Sequence, residues 1–92
     1  MQDAIVEIIK SIPPGSVFDS HFVIDTLILE HSDVYLTFAA PIGDGPGKTT
    51  SVHGHIGKQI ALFESADIKR VGESWSRTIH GNAGKCTCWR KL

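Results

Sequence analysis

Residues 43–50, GDGPGKTT, come closest to a chemical motif in this chain. A phosphate-binding loop reads G-x-x-x-x-G-K-[ST]: its backbone N–H groups ring the phosphates and its lysine reaches the outer ones. Gly47, Lys48 and Thr49 supply the end of that pattern, between an apolar stretch and an expected helix. The opening glycine belongs at position 42, which is Ile42, and Gly43 falls one residue late. The N–H ring would close with one residue fewer. No apolar strand ending in aspartate follows to hold magnesium, and the chain is short for a nucleotide-hydrolase sheet. Nucleotide binding through 43–50 is therefore the lesser expectation.

His53-x-His55 and Cys86-x-Cys88 offer two pairs of zinc-type ligands, with His80 as a spare. Zinc takes four such ligands in a tetrahedron. Two histidines two residues apart on a helix point in different directions, because neighbours on a helix are three or four apart. On a strand the two cysteines share a face, where small thiols pack as apolar residues. A bridge between them would close too small a ring to staple the fold, so both are expected as free thiols of a reducing compartment. No carboxylate pair, nucleophile elbow or Cys-His pair stands at a local spacing that catalysis would need. The expectation is a non-enzymatic chain with no cofactor and no metal.

Charge is sorted along the sequence. Residues 1–45 carry seven acids (Asp3, Glu7, Asp19, Asp25, Glu30, Asp33, Asp44) against Lys10 alone, a net of −6. Residues 46–92 carry eight bases (Lys48, Lys58, Lys69, Arg70, Arg77, Lys85, Arg90, Lys91) against Glu64, Asp67 and Glu73, a net of +5. The net of −1 for the whole chain hides this division. A basic half suits a polyanion, and nucleic acid is the commonest one.

The elements that must position these groups follow from periodicity. Ninety-two residues with 41% hydrophobic content suit one domain over 1–92 with its own core. Ile5, Val6, Ile8, Ile9 and Ile12 have helical spacing, with Asp3 as N-cap and Pro13-Pro14 as the stop. Val17-Phe18 suits a brief strand. Asp19 or Ser20 caps a second helix, whose wide apolar arc (Phe22, Val23, Ile24, Leu27, Ile28, Leu29) implies burial on more than one side. Val34, Tyr35 and Phe38, after Ser32, fit either a further helical turn or a strand. PIGDGPGK, residues 41–48, is a loop. Thr49, Thr50 and Ser51 offer N-caps for a third helix with the stripe Val52, Ile56, Ile60 and Phe63. Ile68 to Ile79 and Cys86 to Leu92 form a hairpin around HGNAGK, residues 80–85, with Val71, Trp75 and Ile79 on one side and both Trp75 and Trp89 assigned to packing.

Helix, short strand, helix, helix and a two-stranded C-terminal hairpin is the element order of the winged helix-turn-helix superfamily, an α+β fold. The chain resembles that superfamily from Asp3 to Leu92, through the helix TTSVHGHIGKQIALF and the hairpin KRVGESWSRTIHGNAGKCTCWRK. The loop PIGDGPGK departs from it, being longer than the usual three or four residues. The resemblance implies a small, transcription-regulator-like protein that reads duplex DNA with the helix at 50–63 and the hairpin wing at 77–85. The outward face of that helix is small and polar: Thr50, Ser51, Gly54, His55 and Lys58. Such a face admits close approach to a groove, and hydroxyls and N–H groups suit phosphates. On the wing, Arg77 and Lys85 flank the turn, Asn82 sits at its tip, and Lys69 and Arg70 stand at its base. An ordinary solvated surface is the plain alternative for both.

The rival reading is a protein-interaction or dimerisation module. In it Glu30, Asp33 and Asp44 meet a basic partner, or the basic half of another copy to give a homodimer. No apolar run approaches the roughly 20 residues that span a bilayer, and the N-terminus MQDAIVEIIK lacks the basic start of a secretory signal. The location expected is cytoplasmic, with no membrane partner.

Overall fold

The computed structural model describes residues 1–92 except Asp44, Thr78, Ile79, His80 and Asn82. It is an α+β fold of four helices and one antiparallel sheet. In order come α1 (Gln2–Ser11), β1 (Val17–Asp19), α2 (Ser20–Glu30), α3 (Ser32–Ala39), α4 (Lys48–Ala61), β2 (Ile68–Arg77) and β3 (Ala83–Lys91).

The apolar face of α1 (Ala4, Ile5, Ile8, Ile9) is buried as its spacing requires. Its N-cap is Met1 rather than the expected Asp3, which lies in the first turn, where a carboxylate faces the positive end of the helix. The helix stops at Ser11 because Pro13 disfavours the helical region for the residue before it, and Ile12 is extended at φ −84°, ψ 128°. Asp19 caps α2: its backbone is extended and its Oδ1 accepts from Phe22 N at 2.8 Å.

Helix α2 is buried on one side only, through Val23, Ile24 and Leu27. Phe22 and Leu29, about two turns apart, form a stripe that faces solvent, with Leu29 82% exposed. The expected burial on several sides is thereby corrected: helical apolarity all round does not create neighbours to cover it. His31 breaks the helix at φ −132°, ψ 43°, and Ser32 starts α3. The stretch that fitted helix or strand is thus a helix, with Val34, Tyr35 and Phe38 packed at the edge of the core. Helix α4 begins at Lys48, before the threonines expected to cap it. Gly47 takes the cap position in the left-handed region, φ 82°, with no side-chain bond. Phe63 falls beyond the end of α4 at Ala61 but still packs against the core.

The expected two-stranded hairpin is part of a three-stranded sheet, ordered β1-β3-β2. The short strand β1 pairs with β3 (Phe18↔Trp89, Asp19↔Cys88), so it completes the hairpin's edge. Lys91 N donates to Ser16 O at 2.9 Å, and Gly15 N donates to Lys91 O at 2.7 Å. Between β2 and β3 the register runs from Ile68↔Lys91 to Arg77↔Ala83, with a shift between Arg70 and Gly72 that leaves Val71 as the extra residue of a bulge. The bulge changes the parity of the strand, so Val71 does not share a face with Trp75.

Ile68 and Trp89, at the base of the sheet, are 0% and 1% exposed, whereas Trp75 is 70% exposed. Trp75 therefore does not pack, contrary to the sequence expectation. Its neighbour Ser76 still meets Asp19 and His21 at the start of α2, but the indole of Trp75 projects from the other face of the strand and nothing covers it. The core combines Ile5, Ile8, Ile9, Val23, Ile24, Leu27, Val52, Ile56, Ile60, Ile68 and Trp89.

Truncation should separate the two kinds of apolar residue. Ile56→Ala is expected to lower the unfolding free energy in urea by about 2–5 kcal/mol, and Leu29→Ala to change it by less than about 0.5 kcal/mol.

Candidate nucleic-acid interface

Helix α4 divides cleanly. Val52, Ile56 and Ile60 are at most 1% exposed, while Thr50, Ser51, Gly54, His55 and Lys58 are all exposed. The sequence places these five residues correctly on one accessible face, since a stripe spaced by four leaves the opposite arc outward. A Cβ built on Gly54 would meet nothing within 4 Å. Gly54 is thus not required by any neighbour within the fold, and its absent side chain leaves the helix backbone open from outside. Lys58 lies in the last turn, where a cation suits the helix C-terminus.

The hairpin carries the second set. Register opposes Trp75 to Lys85 and Arg77 to Ala83, so Trp75, Arg77 and Lys85 share one face of the two strands. Lys85 Nζ stands 5.8 Å from the centroid of the Trp75 ring, within cation–π range. Arg77 Nε donates to Gly81 O at 3.4 Å, which lays its guanidinium across the turn. A shallow groove lined by Trp75, Ser76, Arg77, Gly81 and Ala83 runs beside them. At the base of the hairpin, Arg70 covers the Trp89 ring at 5.0 Å, and Lys69 is exposed. Asn82, assigned to the tip, lies outside the described residues, as does His80. Sequence reasoning missed Trp75 as an exposed group. Periodicity gave no signal for it, because alternation along a strand fixes which face a side chain is on and says nothing of what covers that face.

The other sequence candidates separate. Gly45 and Gly47 take positive φ angles before Lys48, but the element preceding the loop is α3, where a phosphate-binding loop follows a strand. Asp44 of that loop lies outside the described residues. His53 is half-buried, with Nε2 3.0 Å from the Tyr35 hydroxyl, and His55 is exposed. Cys86 is buried and Cys88 half-buried, both as free thiols.

A cluster that the sequence did not suggest forms where β1 turns into α2. Asp19, His21 and Cys86 bring a carboxylate oxygen, a ring nitrogen and a thiol sulfur within 4.8 Å of one another. Ser76 Oγ donates to Asp19 Oδ2 at 2.8 Å and lies 2.9 Å from His21 Nδ1. Burial pushes the Cys86 thiol pKa up; backbone N–H groups of His21 and Ser20 pull it down, and the Asp19 charge raises it again. The trace in the sequence is Asp19-x-His21 at a helix start. Only the pairing of β1 with β3 brings Cys86 to it.

No family model, curated protein or solved structure matches this chain.

The open space at Gly54 makes a specific prediction. Gly54→Ala should raise the unfolding free energy by roughly 0.5–1 kcal/mol through helix propensity alone, read as a higher urea midpoint with an unchanged slope.

Proposed function

We propose that this chain is a winged helix-turn-helix protein that binds duplex DNA, with the exposed face of α4 entering the major groove and the β2–β3 hairpin touching the backbone alongside. The observation that carries the reading is the face of α4. Its apolar stripe is consumed by the core, and what remains outside is five small or polar residues with a bare backbone at Gly54. Small outward residues let a helix lie deep in a groove, and hydroxyl and ammonium groups meet phosphates at its walls.

Two further features support it. The element order, with α4 directly before the hairpin, is the one the resemblance implies, while the pairing of β1 into a three-stranded sheet is an addition to it. Of the exposed cations, Lys58, Lys69, Arg70, Arg77, Lys85 and Arg90 lie on α4 and the hairpin and Lys10 on α1; of the exposed acids, Asp3, Glu7, Asp25, Glu30 and Asp33 lie on α1, α2 and α3, Glu73 on β2, and Glu64 and Asp67 between α4 and β2. The charge sorting of the sequence is thus kept in large part between elements, and the excess of cations on α4 and the hairpin suits a polyanion there. The longer connection between α3 and α4 and the additional helix α3 are the departures from the simplest member of this architecture.

Fluorescence anisotropy with a labelled random duplex at about 50 and 200 mM salt tests the proposal. Micromolar binding that collapses at the higher salt is expected. Lys58→Ala and Arg77→Ala should each weaken it and reduce the slope of log K against log salt by about one. Gly54→Ala should weaken binding while stabilising the fold. Trp75 emission should be quenched by DNA, and Trp75→Phe should remove that response, because Trp89 is buried. No binding at the lower salt rejects the DNA reading, and salt-sensitive self-association in its place would favour a protein-interaction module.

A further inference from the structure

We propose that Asp19, His21 and Cys86 form a binding site for a divalent metal ion of the zinc class, which clamps the start of α2 to strand β3. The site is separate from the groove-facing residues and stands whether or not the chain binds DNA.

The ligand set carries the inference. One carboxylate, one imidazole and one thiol are the three donor types that zinc takes from proteins. They come from the end of β1, the first turn of α2 and the middle of β3, yet their ligand atoms lie within 4.8 Å of one another. Tetrahedral bonds of about 2.0–2.3 Å place ligand atoms roughly 3.4–3.7 Å apart. Closure therefore asks the three side chains to draw together, with the unprotonated ring nitrogen of His21 turned toward the other two donors. With both acidic groups ionised, the set carries two negative charges, which balance a divalent cation at a half-buried position.

The surrounding hydrogen bonds prepare the donors. Ser76 has one hydroxyl proton, and it goes to the Asp19 carboxylate, which can only accept. The Ser76 oxygen must therefore accept from His21 Nδ1–H, which fixes the tautomer and leaves the lone pair on Nε2. A ligating histidine ordinarily has its other ring nitrogen held in this way. Asp19 spends Oδ1 on the Phe22 N–H and Oδ2 on Ser76, and its two oxygens retain lone pairs for a metal. The Cys86 sulfur gives up its proton to solvent as the metal–sulfur bond forms, so that each ion bound releases one proton. Three protein ligands leave the fourth tetrahedral position to water.

Titration of the reduced full-length chain with cobalt(II), a spectroscopic stand-in for zinc, tests the site. The expected result is one equivalent bound, with a near-ultraviolet thiolate-to-cobalt charge-transfer band that zinc abolishes by displacement. Cys86→Ser should remove the band, and Cys88→Ser should leave it within about twofold in affinity. His21→Asn and Asp19→Asn should each weaken binding at least about tenfold, the minimum cost already seen for losing an outer-shell partner. Asp19→Asn keeps a capping oxygen on α2 and so spares the fold. Should Cys86→Ser fail to fold by circular dichroism, the His21 and Asp19 variants decide. Absence of the charge-transfer band in the unmodified chain overturns the proposal. So does a band that follows Cys88, or an affinity untouched by either the His21 or the Asp19 substitution.

Discussion

The indole N–H of Trp89 donates to the Ser20 hydroxyl at 3.0 Å, across 69 residues of chain, and both groups are buried. A buried donor without an acceptor costs about 1–3 kcal/mol, so this bond fixes where the last strand meets the second helix. Around it, Phe18 pairs with Trp89, Arg70 covers the indole ring from β2, and Lys91 Nζ donates to the Ile12 carbonyl at 3.2 Å. The C-terminal strand is thus tied to the N-terminal third of the chain, and the core draws on both. Without that tie, the helices would have no sheet to pack on, and β1 would be a three-residue segment with no partner.

The same anchor decides what the hairpin can present. Trp89 and Ile68 are held at the base, the later residues of β2 are exposed on the Trp75 face while Ser76 on the other face meets the start of α2, and the Val71 bulge sets which of them share a face. Trp75, Arg77 and Lys85 then stand together on the projecting part. A tryptophan that would be a core residue nearer the base becomes an exposed aromatic plane between two cations. Burial here is a matter of which face of the strand another element covers, and residue type has little say in it.

Helix α4 and the β1–α2 corner show two other uses of a fixed scaffold. In α4 the core claims Val52, Ile56 and Ile60, His53 meets Tyr35, and Thr50, Ser51, Gly54, His55 and Lys58 are left exposed. At the corner, Asp19 does several jobs through one side chain: it caps α2, accepts from Ser76 and stands beside Cys86. That concentration of polar groups follows from geometry, since the end of a strand, the start of a helix and the neighbouring strands all converge there. Ser76 and Cys86 reach the corner because register places Ser74 opposite Cys86 and Ser76 opposite Gly84 on the same face as Asp19.

Much of this was legible in residue order alone. The four-residue stripe of Val52, Ile56 and Ile60 determined both the buried side of α4 and its outward polar face, because a helical period admits one arrangement. A cap at Asp19 or Ser20, the brief strand at Val17-Phe18 and the end of the first helix at Pro13-Pro14 rest on local backbone chemistry and were equally readable, and the structure gives the cap to Asp19. Contacts between distant segments decided the rest. Strand β1 closing the sheet, the exposure of Trp75 and of Leu29, and the meeting of Asp19 and His21 with Cys86 depend on which face of each element its neighbours cover and on one extra residue at Val71. Periodicity reports which way a side chain points along its own element. Whether another element stands there to meet it is settled only when the chain is packed.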